Sequence, residues 1–420
     1  MNVLVLTPWY PSRPGETEGL FVKQQVHALA SSGCNVVVVS PRPHWLPVPG
    51  RRGMYWRGTA GLPYSQIIDG IEAYFPRYLL LPRGIAWKTI GRLCFQSMRR
   101  LIERLNGKYR FDVIHGHEIL PAGLSAPYLK NLTGLPFVLT VHGESPAISR
   151  FLSDPANEQI RQRMWHAVDR VAAVGTPLVN WLTTLGGPQD RVSVIPNGAE
   201  VTTASSQSPR DFESRFGRCR VILSVSNLYP TKGLDTNLKA LKNLTDSGFD
   251  NLHYIVVGEG PDRSRLNQIV HNFGSDRNVT FLGRLPHLET LAYMKACEVF
   301  SLPSWQEAFG IVYVEAMAMG KPAIGCLGQG AEDIIADGRD GLLVRPQDED
   351  HLAAALRRIL SSPDFAARIG QAAAIKSREF SWQRNAQSYI ELFQSVIGDR
   401  RVEAQPASTN ALPQVAISRT

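Results

Sequence analysis

Short runs of apolar, mostly β-branched residues alternate with longer helical stretches along most of the 420-residue chain. In the first half these runs are VLVLT, NVVVVS, FDVIHG, PFVLTVHG, RVAAVG and RVSVIPNG, and a helix is predicted over about 20–32 between the first two. Strands that are apolar on both faces and separated by helices are typical of a parallel sheet covered on both sides. The pattern therefore predicts an α/β fold.

The polar segment TTASSQSPRDFESRFG interrupts the pattern after residue 201 and is typical of a linker. Beyond it the alternation restarts with RVILSVSN, HYIVVGEG, VTFLG, EVFSLPS, KPAIGC and DGLLVRP. We predict two Rossmann-like domains facing each other across a cleft, an N-terminal one over 1–200 and a C-terminal one over 201–380. A closing helix is expected over 381–398 and a disordered tail over 399–420.

Composition places the chain among ordinary globular proteins, with 44% hydrophobic and 20% charged residues. The start, MNVLVLTPWYP, has no basic leader, and no apolar run approaches the roughly 20 residues that span a bilayer. Five cysteines without close spacing indicate neither a disulfide framework nor a zinc site. These features predict a cytoplasmic protein.

A net charge of +8 favours an anionic partner, which leaves nucleic acid, phosphate and lipid open. The segment over 77–104 mixes arginines with leucines and aromatic residues, and it is predicted as a basic amphipathic helix. Such a helix could rest on an anionic membrane surface, or it could turn its apolar face to the core and its arginines to water. Both interpretations stay open at this point.

The stretch EAFGIVYVEAMAMGKPAIG places two glutamates, Glu307 and Glu315, in an apolar segment. It follows a predicted strand and opens a helix, where the free amides of Gly310, Ile311 and Val312 favour an anion such as phosphate. Glu315 lies on the same helix face as these amides. Carboxylates on either side of a phosphate, each accepting from hydroxyl groups, fit a nucleotide sugar better than a cation. The alternative is a helix buried by chance with a salt-bridged glutamate.

Lys232 follows another predicted strand, in SNLYPTKGLD, where its ammonium could meet a diphosphate. A solvated surface lysine is the alternative. GEGPDR resembles a dinucleotide fingerprint but has Arg263 in place of the third glycine, which disfavours a dehydrogenase. Asp348, in DED, is interpreted as a helix cap rather than a metal ligand, so no metal is predicted.

Together, VIPNGAE, SNLYPTKGLD, VGEGPDRSRL, the stretch from FLGRLPHLET to GKPAIG, and DGLLVRPQD resemble the retaining GT-B glycosyltransferases of family 4, in matching order along nearly the whole chain. The resemblance implies that Glu307 contacts the donor sugar, Glu315 holds the ribose and Lys232 contacts the diphosphate. Asn227 stands where the family usually has an arginine of the phosphate clamp. The Arg284-Leu285 turn matches the place where the base is contacted through the backbone.

The resemblance also implies site residues in the first half. Gly19 keeps one position of the family's glycine-rich loop before the first helix. His142 matches a histidine that faces the donor sugar. His115 and His117 match a strand end of the family and are predicted to line the cleft.

The predicted function is therefore a retaining transfer of a hexose from a nucleotide-diphosphate sugar of the UDP or GDP type to a glycan or lipid-linked acceptor, in bacterial surface polysaccharide synthesis. Glu307, Lys232 and His142 would be catalytic, with no metal or other cofactor. Nucleic-acid binding is not expected, and membrane contact through 77–104 would be peripheral. A nucleotide-sugar epimerase, a phosphorylase and an inactive sugar-nucleotide-binding regulator remain the alternatives.

Overall fold

The computed structural model describes residues 1–13, 16, 19–44, 61–79, 87–199, 209, 212–217 and 219–403. Within these ranges the chain forms two α/β units, each built on its own sheet. No helix among the described residues is both long and apolar enough to cross a bilayer.

The first unit carries an eight-stranded sheet in the order β10-β9-β8-β7-β1-β2-β5-β4, and β3 pairs with β6 beside it. Its strands are β1 Asn2–Leu6, β2 Asn35–Val39, β3 Arg42–His44, β4 Ser65–Ile68, β5 Ile71–Tyr74, β6 Arg77–Leu79, β7 Val113–His117, β8 Phe137–Val141, β9 Arg170–Ala173 and β10 Val192–Val194. Its helices are α1 Leu20–Ser31, α2 Ile90–Tyr109, α3 Leu124–Thr133, α4 Pro146–Ser153, α5 Glu158–Ala167 and α6 Thr176–Thr184.

The second unit carries a six-stranded parallel sheet in the order β13-β12-β11-β14-β15-β16. Its strands are β11 Arg220–Val225, β12 Leu252–Val257, β13 Val279–Gly283, β14 Val299–Ser301, β15 Ala323–Cys326 and β16 Leu342–Val344. Its helices are α7 Phe212–Phe216, α8 Leu234–Asp246, α9 Arg263–Asn272, α10 His287–Ala296, α11 Ile311–Ala318, α12 Glu349–Leu360 and α13 Pro363–Ser377, and α14 Trp382–Glu403 follows.

The predicted parallel α/β sheets are confirmed, because each of the apolar runs forms a strand that pairs in parallel. In the first sheet the edge strand β4 is the exception, since it pairs antiparallel with β5. The alternation did not predict β3 to β6, which are only three or four residues long. Asp348 caps α12 as predicted, and its side chain accepts from the backbone N–H of His351 at 2.8 Å.

The segment over 77–104 is not one continuous helix. Residues Arg77–Leu79 form β6, residues 80–86 lie outside the described part, and α2 begins at Ile90. One face of α2 is buried in the core, and its buried side chains include Cys94, Met98 and Leu105. This face belongs to the protein interior, as the second of the two open interpretations states, while the exposed arginines face solvent.

The C-terminal helix α14 returns to the first unit. The Gln25 Nε2 atom of α1 donates to Asn385 Oδ1 at 2.8 Å, and Tyr389 OH lies 2.8 Å from Thr140 Oγ1 of β8. The helix continues to Glu403, so five residues that the sequence assigned to the tail are helical. Residues 404–420 lie outside the described part, and the predicted domain boundary at 200 stays a prediction.

The two units also touch directly. The backbone at Gly175 approaches Ala308 so closely that an added Cβ would lie 2.0 Å from its carbonyl oxygen. The next amide, of Thr176, donates to Asp333 Oδ2 at 2.6 Å. These contacts hold the carboxyl ends of the two sheets face to face and leave a cleft between them.

Candidate functional site

The strand order of the second sheet changes direction between β11 and β14, which are neighbours in space but not in sequence. Ligands of open α/β sheets bind outside the carboxyl ends of the strands at such a point. The loop after β11 carries Lys232 and the loop after β14 carries Glu307. Both predicted residues therefore reach the place where the topology opens a crevice.

Lys232 and Glu307 form an ion pair, with 2.8 Å between Nζ and Oε2. The two side chains are 21% and 14% exposed, respectively, so both charges are largely enclosed. The Glu307 loop is fixed on both sides, because the Trp305 N–H donates to Thr231 O at 2.9 Å and the Gly330 N–H donates to Glu307 O at 2.9 Å. The salt-bridge alternative is realised for Glu307, but its partner is the lysine that the sequence predicts at the diphosphate.

Helix α11 begins directly after this loop. Its cap, Gly310, has a φ of 92°, a left-handed conformation that favours glycine, and an added Cβ would lie 2.4 Å from the ring of Tyr313. The Tyr313 hydroxyl donates to Leu302 O at 2.6 Å and thereby ties the helix to the end of β14. The first amides of α11 thus open into the cleft beside Glu307.

Glu315, one turn into α11, is 8% exposed and pairs with His287 Nε2 at 2.8 Å. His287 is the first residue of α10 and follows the predicted Arg284-Leu285 turn by two positions. The predicted partner of Glu315 was a sugar hydroxyl, and no motif in the sequence marked His287. Arg284 is exposed, whereas Leu285 packs on the core.

On the opposite wall, three histidines form a continuous stack. The rings of His117 and His142 are parallel within 5°, and His117 Nδ1 lies 2.9 Å from His142 Nε2. His115 contacts His117 with 4.2 Å between ring centroids and bonds Thr140 Oγ1 at 2.8 Å. His142 reaches the cleft, but His115 and His117 are fully buried because β7 is covered on both faces. Their prediction as cleft-lining residues is wrong.

Burial sets the protonation of this wall. It lowers the pKa of His115 and His142 to about 3 and that of His117 well below its usual value, so all three imidazoles are neutral at pH 7. Burial also raises the pKa of Glu118 to about 8, although its Oε1 accepts from the backbone N–H of His142 at 3.0 Å. The wall therefore presents hydrogen-bonding groups without charge.

The start of α1 supports this wall. Gly19 caps the helix with a φ of 77°, and a side chain there would collide with the backbone of Trp9. Two residues later, the Phe21 ring packs on His142 with 4.6 Å between centroids. Gly19 thus fixes the beginning of a helix whose first turn borders the cleft.

Two adjoining cavities occupy the cleft. The inner cavity, of about 250 Å³, brings together seven of the predicted residues: His142, Asn227, Lys232, Glu307, Gly310, Ile311 and Val312. The outer cavity, of about 690 Å³, shares His142, Lys232 and Glu307 with it. Gly19, Arg284, Leu285 and Glu315 are not among the lining residues of either cavity.

Sequence reasoning missed the remaining lining of the outer cavity. Its polar and aromatic members are Glu144, Asn180, Thr231, Trp305, Gln306 and Gln329. Gln329 follows the carboxyl end of β15, and this position was the one signal that could have indicated it. Among the described residues, no group of three His, Cys, Asp or Glu side chains is arranged to hold a metal ion.

Two family profiles match the chain in succession. The family described as Glycosyltransferase Family 4 matches residues 19–203, and the family described as Glycosyl transferases group 1 matches residues 208–376. A Bacillus subtilis protein named for teichuronic acid biosynthesis, the glycosyltransferase TuaC, is 28% identical over 85% of this chain and 89% of its own length. A D-inositol 3-phosphate glycosyltransferase of Corynebacterium glutamicum is 29% identical over 77% of this chain and 80% of its own.

Solved structures share the architecture. Sucrose-phosphate synthase from Thermosynechococcus elongatus superposes with a TM-score of 0.73 at 20% identity, over 95% of this chain and 100% of that one. Anabaena HepE in complex with UDP-glucose superposes with a TM-score of 0.68 at 20% identity, over 94% of this chain and 100% of that one. With two facing α/β units and the two matched families in order, the chain belongs to the family-4 glycosyltransferases, is a glycosyltransferase, and has their GT-B fold.

Proposed function

We propose that the protein transfers a hexose from a nucleotide-diphosphate sugar to a hydroxyl group of a glycan or glycolipid, with retention of the anomeric configuration. The observation that carries the proposal is the Lys232–Glu307 ion pair at the start of α11, opposite His142. A half-buried ammonium beside free helix amides fits a diphosphate, and a carboxylate next to it fits the hydroxyl groups of the attached sugar.

In this proposal the ion pair is exchanged when the donor binds. Before binding, Lys232 and Glu307 neutralise each other in the cleft, where an unpaired charge would be unfavourable. The donor diphosphate then attracts the Lys232 ammonium, and Glu307 accepts from a sugar hydroxyl. Each partner keeps a charge-assisted contact throughout.

The proposed chemical step uses the same arrangement. The acceptor oxygen bonds to the anomeric carbon on the face from which the phosphate oxygen departs, and the acceptor proton passes to that phosphate. Lys232 and the amides of Gly310, Ile311 and Val312 stabilise the charge that develops on the leaving diphosphate. We therefore propose that transfer requires no added metal ion, which is tested by measuring turnover after treatment with a chelator.

The related proteins support the substrate classes. HepE binds UDP-glucose and shares the fold, which supports a nucleotide-diphosphate hexose as the donor. TuaC is named for teichuronic acid synthesis, which supports a bacterial surface polysaccharide as the product. The five cysteines are free, and we propose a cytoplasmic location because free thiols persist in reducing compartments.

The outer cavity favours an uncharged, hydroxyl-rich part of the acceptor. Lys232 is the only lysine or arginine among its described lining residues, and Glu307 already pairs with it. The surface also carries groups that suit hydroxyl groups, namely the Glu144 carboxylate, the side-chain amides of Gln306 and Gln329, and the ring of Trp305. The name of the Corynebacterium relative indicates a phosphorylated polyol as that protein's acceptor. Such an acceptor would find no unpaired lysine or arginine among the described residues of this cavity to bind its phosphate.

A donor screen tests the proposal. The true donor among UDP-, GDP- and ADP-sugars should raise the melting temperature through ligand linkage. Incubation of that donor with glycan acceptors should release the nucleoside diphosphate, and proton NMR of the product should show the donor's anomeric configuration. An isomerised donor without acceptor would indicate an epimerase, a requirement for free phosphate would indicate a phosphorylase, and binding without turnover would indicate a regulator.

A further inference from the structure

Helix α6 of the first unit begins where the two units touch, and its cap residue carries no side chain. That residue is Gly175, so no side-chain oxygen of its own accepts from the first amides of the helix. An added Cβ at Gly175 would lie 2.0 Å from the carbonyl oxygen of Ala308, so the second unit leaves no room for a capping side chain at this position. The first amides of a helix have no partner within the helix, and they need one from elsewhere.

Asp333 of the second unit supplies that partner. Its Oδ2 atom accepts from the backbone N–H of Thr176, the first residue of α6, at 2.6 Å. Asp333 ends a short 3-10 helix, Gly330–Asp333, that follows β15. A carboxylate at this end of a helix accepts a charge-assisted hydrogen bond and interacts favourably with the helix dipole. A helix of one unit is thus capped by an acidic side chain of the other.

The segment that carries Asp333 also holds the Glu307 loop. The Glu307 N–H donates to Gln329 Oε1 at 3.1 Å, and the Gly330 N–H donates to Glu307 O at 2.9 Å. Ala308, which meets the start of α6, is the next residue of the same loop. One short segment therefore contacts both α6 and the loop that presents the Glu307 carboxylate.

Helix α6 in turn contributes to the outer cavity. Pro177, Leu178 and Asn180 of its first two turns line this cavity, together with Trp305 and Gln306 of the second unit. The distance between α6 and the Glu307 loop therefore sets the width of the outer cavity.

We propose that Asp333 is a positioning residue for the acceptor. By capping α6 across the two units, it holds this helix against the Glu307 loop and fixes the shape of the space in which a glycan hydroxyl group is oriented. The inference rests on the proposed function, which gives the outer cavity to the acceptor. Without the cap, α6 can move while Glu307 keeps its backbone hydrogen bonds to Gln329 and Gly330. Removal of Asp333 should therefore impair the acceptor side and spare the donor side.

Amide hydrogen exchange of the full-length protein tests the cap without any substrate. Asp333→Ala should raise the exchange rates of α6 about fivefold, which corresponds to the roughly 1 kcal/mol of one helix cap. Asp348→Ala is the matched control, because Asp348 caps α12 within the second unit by accepting from the His351 N–H at 2.8 Å. It should raise the exchange rates of α12 and leave those of α6 unchanged.

Kinetics with the donor and the glycan acceptor identified by the screen test the positioning role. Asp333→Ala should raise KM for the acceptor about fivefold, the value of the same cap, and leave the donor affinity measured by calorimetry unchanged. Asp333→Asn keeps a side-chain oxygen that can accept from the Thr176 N–H, and it should restore most of the wild-type KM. Asp348→Ala should leave both quantities unchanged.

Two results for Asp333→Ala would overturn the proposal: unchanged exchange in α6, or faster exchange with an unchanged KM for the acceptor. An equal rise of KM in Asp348→Ala would also overturn it, because the effect would then follow stability instead of position. Absence of transfer by the wild-type protein would refute the proposed function instead. Calorimetric binding of the glycan to the wild type and to Asp333→Ala would then decide the role of Asp333 separately, with equal affinities contradicting it.

Discussion

Beneath the second-unit wall of the cleft, four buried side chains form a closed hydrogen-bond network. Asn237 Nδ2 lies 3.2 Å from Ser224 Oγ, Tyr254 OH and Ser301 O, and Ser301 Oγ donates to Asn237 Oδ1 at 2.6 Å. The opposite wall is built differently, because His115 Nδ1, His117 Nε2 and His142 Nδ1 are buried without a hydrogen-bond partner among the described residues. In the wall of the second unit these polar side chains are bonded to one another. In the wall of the first unit, three histidine ring nitrogens have no hydrogen-bond partner among the described residues.

The contrast extends to charge. The saturated network underlies the carboxyl ends of β11 and β14, from which the Lys232 and Glu307 loops start. A fully bonded polar network is rigid, and a rigid support is what preorganised charges at a leaving group require. The histidine wall is neutral, and His142 is the one of its three histidines that reaches the cleft, where its position can suit different hydroxyl groups. We infer that the second unit supplies electrostatic stabilisation and the first unit supplies adaptable positioning.

Removing the ammonium of the charged wall should have the largest effect. Lys232→Ala should lower kcat/KM by about 100- to 1000-fold, as loss of one preorganised group that stabilises developing negative charge does elsewhere. Steady-state kinetics with the identified donor measure this. Lys295→Ala, which removes an exposed lysine of α10, is the control and should leave kcat/KM unchanged. An equally small change in kcat/KM in both variants would show that Lys232 has no role in the reaction.

The two glutamates of the second unit should act on different parts of the donor. Glu315→Ala should weaken binding of the whole nucleotide, and Glu307→Ala should mainly slow transfer, because each loses a charge-assisted contact of about 1.5–3 kcal/mol at a different part of the donor. Calorimetric titration and single-turnover rates separate the two effects. Unaltered affinity and turnover in both variants would refute their assignment to the donor.

Breaking the saturated network should reduce stability more than altering the histidine stack. Asn237→Leu leaves Ser224, Ser301 and Tyr254 without their shared partner and should lower the free energy of unfolding by about 2–3 kcal/mol. His115→Phe removes one hydrogen bond to Thr140, but it also removes a buried ring nitrogen that has no hydrogen-bond partner among the described residues. It should therefore change the free energy of unfolding by less than about 1 kcal/mol. Urea unfolding measures both, and a larger loss for His115→Phe would reverse the comparison.

The pH dependence of stability reports on the neutral wall. The lowered pKa values of His115 and His142 mean that the unfolded chain binds more protons between about pH 6.5 and pH 3, so stability falls as pH drops through this window. Glu118 acts in the opposite direction. Its raised pKa means that the folded chain holds an extra proton between about pH 4.5 and pH 8, so its contribution falls as pH rises.

Glu118→Gln isolates the second effect. Above pH 6.5 the two histidines no longer change the free energy of unfolding with pH. Between pH 6.5 and pH 8 the free energy of unfolding should therefore fall by about 1–2 kcal/mol less in the variant than in the wild type, on the scale of 1.36 kcal/mol for each pH unit. Urea unfolding at several pH values checks this slope. Parallel pH profiles of the two proteins would show that Glu118 is already ionised at pH 7.

His142 should give the smallest effect on the reaction. His142→Gln replaces a neutral imidazole by another neutral hydrogen-bonding group and should lower kcat/KM by no more than about tenfold, the value of one ordinary hydrogen bond. Because burial lowers the pKa of His142 to about 3, the ratio of wild-type to variant rates should be constant from pH 5 to pH 8. A ratio that follows a titration near pH 6.5 would identify His142 as a proton-transfer group instead.

The sequence predicted the wall that carries Lys232 and Glu307 better than the wall formed by the three histidines. Lys232 and Glu307 follow long apolar strands of one parallel sheet, and the carboxyl ends of such strands meet at one edge, so periodicity alone brings them near each other. The partner of Glu315, His287, lies 28 residues earlier on another helix, and no local pattern marks it. His115 and His117 were misplaced because a strand end looks exposed until the elements that cover both faces are known.

The same limit applies to α2. The basic and apolar character of 77–104 was visible in the sequence, but which face of α2 is buried depends on its packing against neighbouring elements. The short strands β3 and β6 carry too few residues for an alternation to be recognised. Local periodicity predicts elements, whereas partners across elements depend on tertiary packing.

A crystal structure of the protein with its identified donor would locate the diphosphate relative to Lys232 and Glu307. We expect the diphosphate to contact Lys232 Nζ and the amides at the start of α11. The 2.8 Å bond between Lys232 and Glu307 should be replaced by contacts to the donor, with Glu307 accepting from a hydroxyl group of the sugar. A donor bound elsewhere, with the Lys232–Glu307 pair intact, would contradict this expectation.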